Sequence, residues 1–264
     1  MVTRFQYQTA LTFVSPASEH RFLLKILPPS DGRQRVIDLA WSVEPQSSLW
    51  LTHDAFGNAC VAGFADMPHS RFTFGISGKA DISSEPYVLC QSPPPVFACP
   101  SALTRPFGAL ADFYAALAPG APDGGEPLRR IEHFSHAVHS RMEYKRGVTD
   151  IATTAGEVFA MGAGVCQDYA HILLTLLRLD KTPCRYVAGL ASGYGETHAW
   201  VEAWTGGRFY GVDPTRDKLA DEGYIALSRG RDFNDCSVER GVYKGSCKGT
   251  QTIDLTMTAS EATR

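Results

Sequence analysis

The chain lacks any run of about 18 apolar residues, the length a helix needs to cross a bilayer, so no membrane partner is expected. It also lacks a C-x-x-C pair. Its seven cysteines (Cys60, Cys90, Cys99, Cys166, Cys184, Cys236 and Cys247) are odd in number and scattered without paired spacing. A disulfide framework would be denser and even-numbered in a shorter chain, and structural zinc has no ligand pair to start from. At least one thiol is therefore free. Charge of one sign is missing too: 25 basic residues stand against 28 acidic ones, a formal net charge of −3. That balance excludes the field that grips a phosphate backbone, and nucleic acid is not an expected partner. Internal repeats and low-complexity tracts are absent. The decapeptide Met1 to Ala10 carries one basic residue, Arg4, and no apolar signal segment behind it, which reads as a mature, cytoplasmic protein.

What is present is a globular composition, 44% hydrophobic over 264 residues, enough to bury the cores of one large domain or two modest ones. Alternation in Phe5 to Phe13, and more loosely in Arg21 to Leu27 and Phe72 to Ile76, predicts strands. Turn clusters at Pro28 to Gly32, Asp54 to Asn58 and Ser83 to Pro86 separate them, so residues 1–88 read as an antiparallel, β-sandwich-like domain. The proline-rich Gln91 to Pro100 is stiff and poor in donors, and 89–106 reads as a linker. Residues 107–264 read as a second domain. Helices are expected over Phe107 to Leu117 and, after a break at Ala118 to Pro127, from Pro127 to about Tyr144. A third, over Ala163 to Arg178, has a buried stripe of Ala170, Leu173, Leu174 and Leu177. Strands follow at 185–190, 197–204 and 208–213, giving an α+β chain overall.

Three residues have settings that fit one chemistry. Cys166 opens the third helix behind Gly162 and Gly164, where free N–H groups and the helix dipole favour a thiolate and hold an oxyanion. His198 lies on a strand that turns at Thr205-Gly206-Gly207 into another strand ending in Val212-Asp213-Pro214. A two-residue Gly206-Gly207 loop pairs Thr205 with Arg208 and sets Asp213 opposite Trp200. Trp200 shares a face with His198, so His198 and Asp213 become diagonal neighbours, and a slip of one residue would split them. In such a set Cys166 attacks a carbonyl, His198 carries the proton and Asp213 fixes the imidazole tautomer. The Cys166 N–H serves as one oxyanion donor; the sequence identifies no second.

Gly164-Val-Cys-Gln-Asp-Tyr-Ala-His171, Thr197-His-Ala-Trp-Val-Glu202 and Val212-Asp-Pro-Thr215 resemble the three signature blocks of bacterial transglutaminase-like proteins, distant relatives of papain-like cysteine proteases. Arg185 to Gly189 and Gly230 to Asp235 are also similar to that family, and His53 to Asn58 looks like a turn of its β-rich N-terminal domain. The resemblance implies a papain-like core with Cys166 on its central helix, and Cys166, His198 and Asp213 as the triad. Arg216 departs from the small polar residue expected after Asp-Pro-Thr. The favoured function is a cysteine-dependent amide-bond hydrolase, a peptidase or amidase working through a thioester acyl-enzyme. The same triad with an amine acceptor would make a transglutaminase or amide-forming acyltransferase; an inert triad would leave a binding module. The expected partner is a peptide or amide substrate, with an amine acceptor under the second reading. No cofactor or metal is expected, since no calcium loop is visible and His133, His136 and His139 read as a solvated helix face. Asp168 reads as support for the helix start, Tyr169 and Trp200 as cleft walls or core, Ser192 to Glu196 as a mobile lip, and the remaining cysteines as inert.

Overall fold

In the computed structural model, residues 1–122, 127–193, 195–245 and 248–260 are described. The N-terminal alternation carries one strand, β1 (Val2–Leu24), through 23 residues. β2 (Gln34–Glu44), β3 (Ser48–His53), β4 (Ala59–Ala65) and β5 (His69–Ile82) follow it. The sheet order is β2-β5-β1-β4-β3, all antiparallel. β1 pairs with β5 over Val2 to Thr12 and with β4 over His20 to Leu24. The register breaks between Thr12 and Ala17, where Pro16 has no N–H to give a ladder. The sheet therefore curls, wrapping a core that includes Phe5, Tyr7, Phe13, Phe22, Phe72 and Phe74.

Most of the remaining elements build the second layer. β6 (Tyr87–Leu89), α1 (Ala109–Leu117), α2 (Pro127–Arg141) and β7 (Glu143–Tyr144) lead to α3 (Ala155–Met161), β8 (Ala163–Gly164) and α4 (Cys166–Leu179). β9 (Cys184–Ala191), β10 (His198–Thr205), β11 (Arg208–Asp213), β12 (Lys218–Leu219), β13 (Tyr224–Gly230) and α5 (Phe233–Cys236) come next. The chain ends in β14 (Glu239–Lys244) and β15 (Gly249–Ser260). The second sheet has the order β12-β11-β10-β9-β13. α4 lies against β9 and β10, its Ile172, Leu173, Leu174, Leu176 and Leu177 all buried. Each such side chain contributes about 1.5–3 kcal/mol through burial, which holds the helix start in place over the sheet. Among the described residues no helix is long and apolar enough to cross a membrane.

Several expectations need correction. The segment 89–106 is no free linker: Phe97, Leu103 and Thr104 are buried, Phe97 edge-on to Phe209 at 6.1 Å. The N-terminal unit also extends beyond residue 88 in sequence, because the last two strands join its sheet. β14 pairs with β1 over Ser18 to Leu24 and β15 pairs with it over Val2 to Phe13. The period-two pattern Ile253, Leu255, Met257 suits β15 to that edge, while β6 instead pairs with β11 in the second sheet. A short helix, α3, was unforeseen although Thr154 and Glu157 cap it reciprocally. The third helix starts at Cys166 rather than Ala163, because Ala163 and Gly164 pair in parallel with Glu143 and Tyr144. The anticipated break at Ala118 to Pro127 includes 123–126, which, like Cys247, lie outside the described residues.

The two layers are clamped through buried charge. Arg229 reaches Asp31 at 2.9 Å and Glu202 at 2.9 Å, and Arg185 reaches Glu202 at 2.5 Å. The Asp54 turn adds a neutral clamp: Asn58 donates to the Arg229 carbonyl at 2.7 Å and accepts from its N–H at 2.8 Å. Burial pushes the Glu202 carboxyl up, but the two guanidiniums outweigh it and hold the group at about 2. Glu202→Ala leaves both cations without their shared anion, and the expected loss is about 3–5 kcal/mol. Urea unfolding checks this; a midpoint within error of wild type would contradict it. Because this pKa is depressed from 4.5, the contribution is present above that value and is lost as pH falls toward about 2.

Candidate active site

α4 brings Cys166 to the cleft at its first residue. Gly162, with φ of 72°, caps α3 in the left-handed region, and the chain then turns straight into β8. Gly164 fits because a Cβ there would stand 2.5 Å from the Asp168 carboxylate. That carboxylate accepts from the Val165 N–H at 2.7 Å and from the Thr149 hydroxyl at 2.7 Å. Asp168 thus fixes the turn into Cys166, the supporting position its sequence context suggested. Burial raises its carboxyl pKa and those two donors oppose the rise. The amides of Cys166 and Gln167 open the helix, where no preceding turn offers them a carbonyl.

The hairpin has the anticipated register, with Thr205 opposite Arg208 and Val201 opposite Val212. Gly206 and Gly207, with φ of 57° and 79°, supply the two left-handed residues that such a two-residue turn requires. His198 Nε2 and Asp213 Oδ2 are 2.7 Å apart, both side chains fully buried. Cys166 and His198 line the same cleft, where the thiol acts on the imidazole. Since Nε2 faces the carboxylate, Nδ1 is the nitrogen left for the sulfur. Burial opposes charge on this imidazole, yet the hydrogen-bonded Asp213 carboxylate and the Cys166 sulfur prevail and push it up to about 9. The Asp213 carboxyl is raised by burial but held below its ordinary value by His198 and by the Tyr224 hydroxyl.

Tyr224 was not foreseen. Its hydroxyl donates to Asp213 Oδ2 at 2.7 Å, and the Thr215 and Arg216 N–H groups donate to Oδ1 at 2.9 and 3.2 Å. Arg216, the departure in sequence, ties this corner down by donating to the Ser192 carbonyl at 2.5 Å and to the Tyr224 hydroxyl at 3.4 Å. The cleft has a volume of about 360 Å³, with Tyr144, Tyr186, Glu196 and Phe233 around Cys166 and His198. Arg146 donates to Glu196 at 2.8 Å across its rim. Tyr169 and Trp200 are core instead: Tyr169 donates to the Met142 carbonyl, and Trp200 packs beneath His198 and edge-on to Tyr224. In the anticipated lip at 192–196, Tyr194 lies outside the described residues. Of the three α2 histidines, His136 faces Asp217 at 2.6 Å and His139 the Pro214 carbonyl at 3.2 Å, bracing the loop after Asp213. Cys184 enters β9 buried, with its thiol pushed up to about 11 by burial.

Comparison with known proteins bears on this arrangement. Residues 116–214 match the transglutaminase-like superfamily core, and residues 3–81 match the bacterial transglutaminase-like N-terminal region. An uncharacterized protein of Mycobacterium leprae is 27% identical over 270 residues, covering 96% of this chain and 96% of its own length. One from Mycobacterium tuberculosis H37Rv is 29% identical over 253 residues, covering 82% and 79%. Among solved structures, a candidate cysteine protease from Cytophaga hutchinsonii superposes with a TM-score of 0.79 at 20% identity, covering 100% of this chain and 92% of that one. At that identity the likeness is one of fold.

Proposed function

This chain belongs to the bacterial transglutaminase-like family, and on that premise we propose that it is a cysteine-dependent hydrolase of amide bonds. Its substrate would be a peptide bond or a glutamine-like side chain. The observation that carries the reading is the seating of Cys166 at the open start of α4, in one cleft with an imidazole whose Nε2 is 2.7 Å from a buried carboxylate. In this reading Cys166 gives its proton to His198 and its sulfur adds to the amide carbon. The oxyanion forms beside the Cys166 N–H. His198 returns the proton to the nitrogen as the C–N bond breaks, leaving a thioester and a free amine. Water, deprotonated by the same imidazole, then attacks the thioester and releases a carboxylic acid and the thiol. Asp213 keeps the imidazole oriented throughout, and Tyr224 and Arg216 hold Asp213.

Hydrolysis is favoured over transfer because the rim is polar and solvated, with Arg146 and Glu196 both exposed beside the cleft. Transfer to an amine requires water to be held away from the thioester. Turnover of glutamine and peptide amides with and without added cadaverine tests this. The expected products are the acid and the leaving amine, with cadaverine incorporated as a minor product. An amide of cadaverine as the main product would replace hydrolase by acyltransferase.

A further inference from the structure

A second groove adjoins the cleft. Its volume is about 850 Å³ against 360 Å³ for the cleft, and Thr197, Phe233 and Val238 line both, so the two are continuous. Leu11 and Phe74 of the curled sheet, Ile253 of β15 and Val242 of β14 supply apolar walls, with Ile151 at the rim. Ile151 and Val242 are 66% and 69% exposed, apolar surface left in water next to a reactive site. More than twice as much space lies in this groove as around Cys166, so the larger part of an extended substrate would rest there.

One carboxylate breaks the apolar lining. Glu239, at the start of β14, is half-buried, and its side chain forms no ion pair or hydrogen bond among the described residues. It folds over Gly241, where a Cβ would stand 3.0 Å from Oε1. The groove's two cations are turned elsewhere: Arg240 donates to Asn234 at 3.1 Å, and the Arg21 guanidinium lies 4.5 Å over the Phe64 ring. Burial raises the Glu239 carboxyl pKa with no nearby charge to offset it. A fatty chain in the groove would leave this carboxylate unpaired against methylenes, at a cost a basic side chain avoids.

We propose that the groove is the acyl-donor subsite, that it takes an extended apolar peptide segment bearing one basic side chain, and that Glu239 selects that side chain. The assignment rests on the amide-hydrolase reading for its chemistry, but occupancy is measurable without turnover. The probes are fluorescein-labelled hexapeptide amides of Leu and Val in which Lys, Glu or norleucine is moved through each position. Their binding to Cys166→Ala protein is read by anisotropy, and their cleavage by the unmodified-cysteine enzyme is read by mass spectrometry. At one Lys position, Glu239→Gln should weaken binding about tenfold while norleucine peptides bind unchanged. Glu239→Lys should invert the preference toward Glu. Equal binding of the three series to wild-type Glu239 protein, or a preference unmoved by Glu239→Lys in a folded variant, overturns the assignment. Glu239-dependent binding with no cleavage of any probe would sustain the subsite and count against the hydrolase. Cleavage indifferent to Glu239 would do the reverse.

Discussion

On the proposed mechanism Cys166→Ala should abolish amide turnover, by a factor of about 10⁴ or more, while leaving thermal stability within about 1 kcal/mol of wild type. The two parts of the result have separate causes. In that mechanism, loss of the sulfur removes the atom that would bond to substrate, leaving His198 and the helix start with nothing to activate. Stability is spared because Cys166 is half-buried and the turn before it is held by Asp168 through Val165 and Thr149, not by the thiol. Calorimetry beside a turnover assay checks both parts. Residual turnover near wild type would move the chemistry to another residue, and unfolding would show that the thiol packs the site.

Asp213→Asn should cost about 10² to 10⁴ in kcat/KM, because an amide in that place stabilises the wrong imidazole tautomer and no longer supports the imidazolium. It should also change the pH profile. With Asp213 present His198 is pushed up to about 9 by that carboxylate and the Cys166 sulfur, against the burial that would lower it. The imidazolium that complements a thiolate therefore persists through neutral pH and is lost as pH rises past about 9, which sets the alkaline limb of kcat/KM. Removing the carboxylate leaves burial dominant, so the limb should move down by about a unit or more. A profile unchanged in Asp213→Asn would mean that the carboxylate does not govern this imidazole.

The geometry of His198 and Asp213 was legible because it is local. Two glycines fix the turn, the turn fixes the register, and the register puts both residues on one face. The start of α4 was readable within three residues for a similar reason: glycines and a helical apolar stripe adjoin there. Tyr224 could not be found in this way. It stands on β13, separated from β11 in the sheet by β9 and β10, and only the folded sheet returns its hydroxyl to Asp213. The pairing of β15 with β1 joins the two ends of the chain, and its modest alternation of Ile, Leu and Met says only that some edge is needed. Arg216 looked like a departure from the motif; its guanidinium has a backbone carbonyl and a tyrosine hydroxyl to hold, neither of them near in sequence. Phe97 and Leu103, set among prolines, were masked by the stiffness of their neighbours.

The most direct measurement is iodoacetamide alkylation at pH 6, with mass spectrometry locating the label in wild type and in His198→Ala. If Cys166 is an activated nucleophile paired with His198, it takes label ahead of the other six of the seven cysteines. Its rate should then fall at least about tenfold in His198→Ala, while the rates of the others stay unchanged. Labelling of Cys166 no faster than that of exposed Cys99, or a rate indifferent to His198, would contradict a catalytic pair and leave the cleft a binding site.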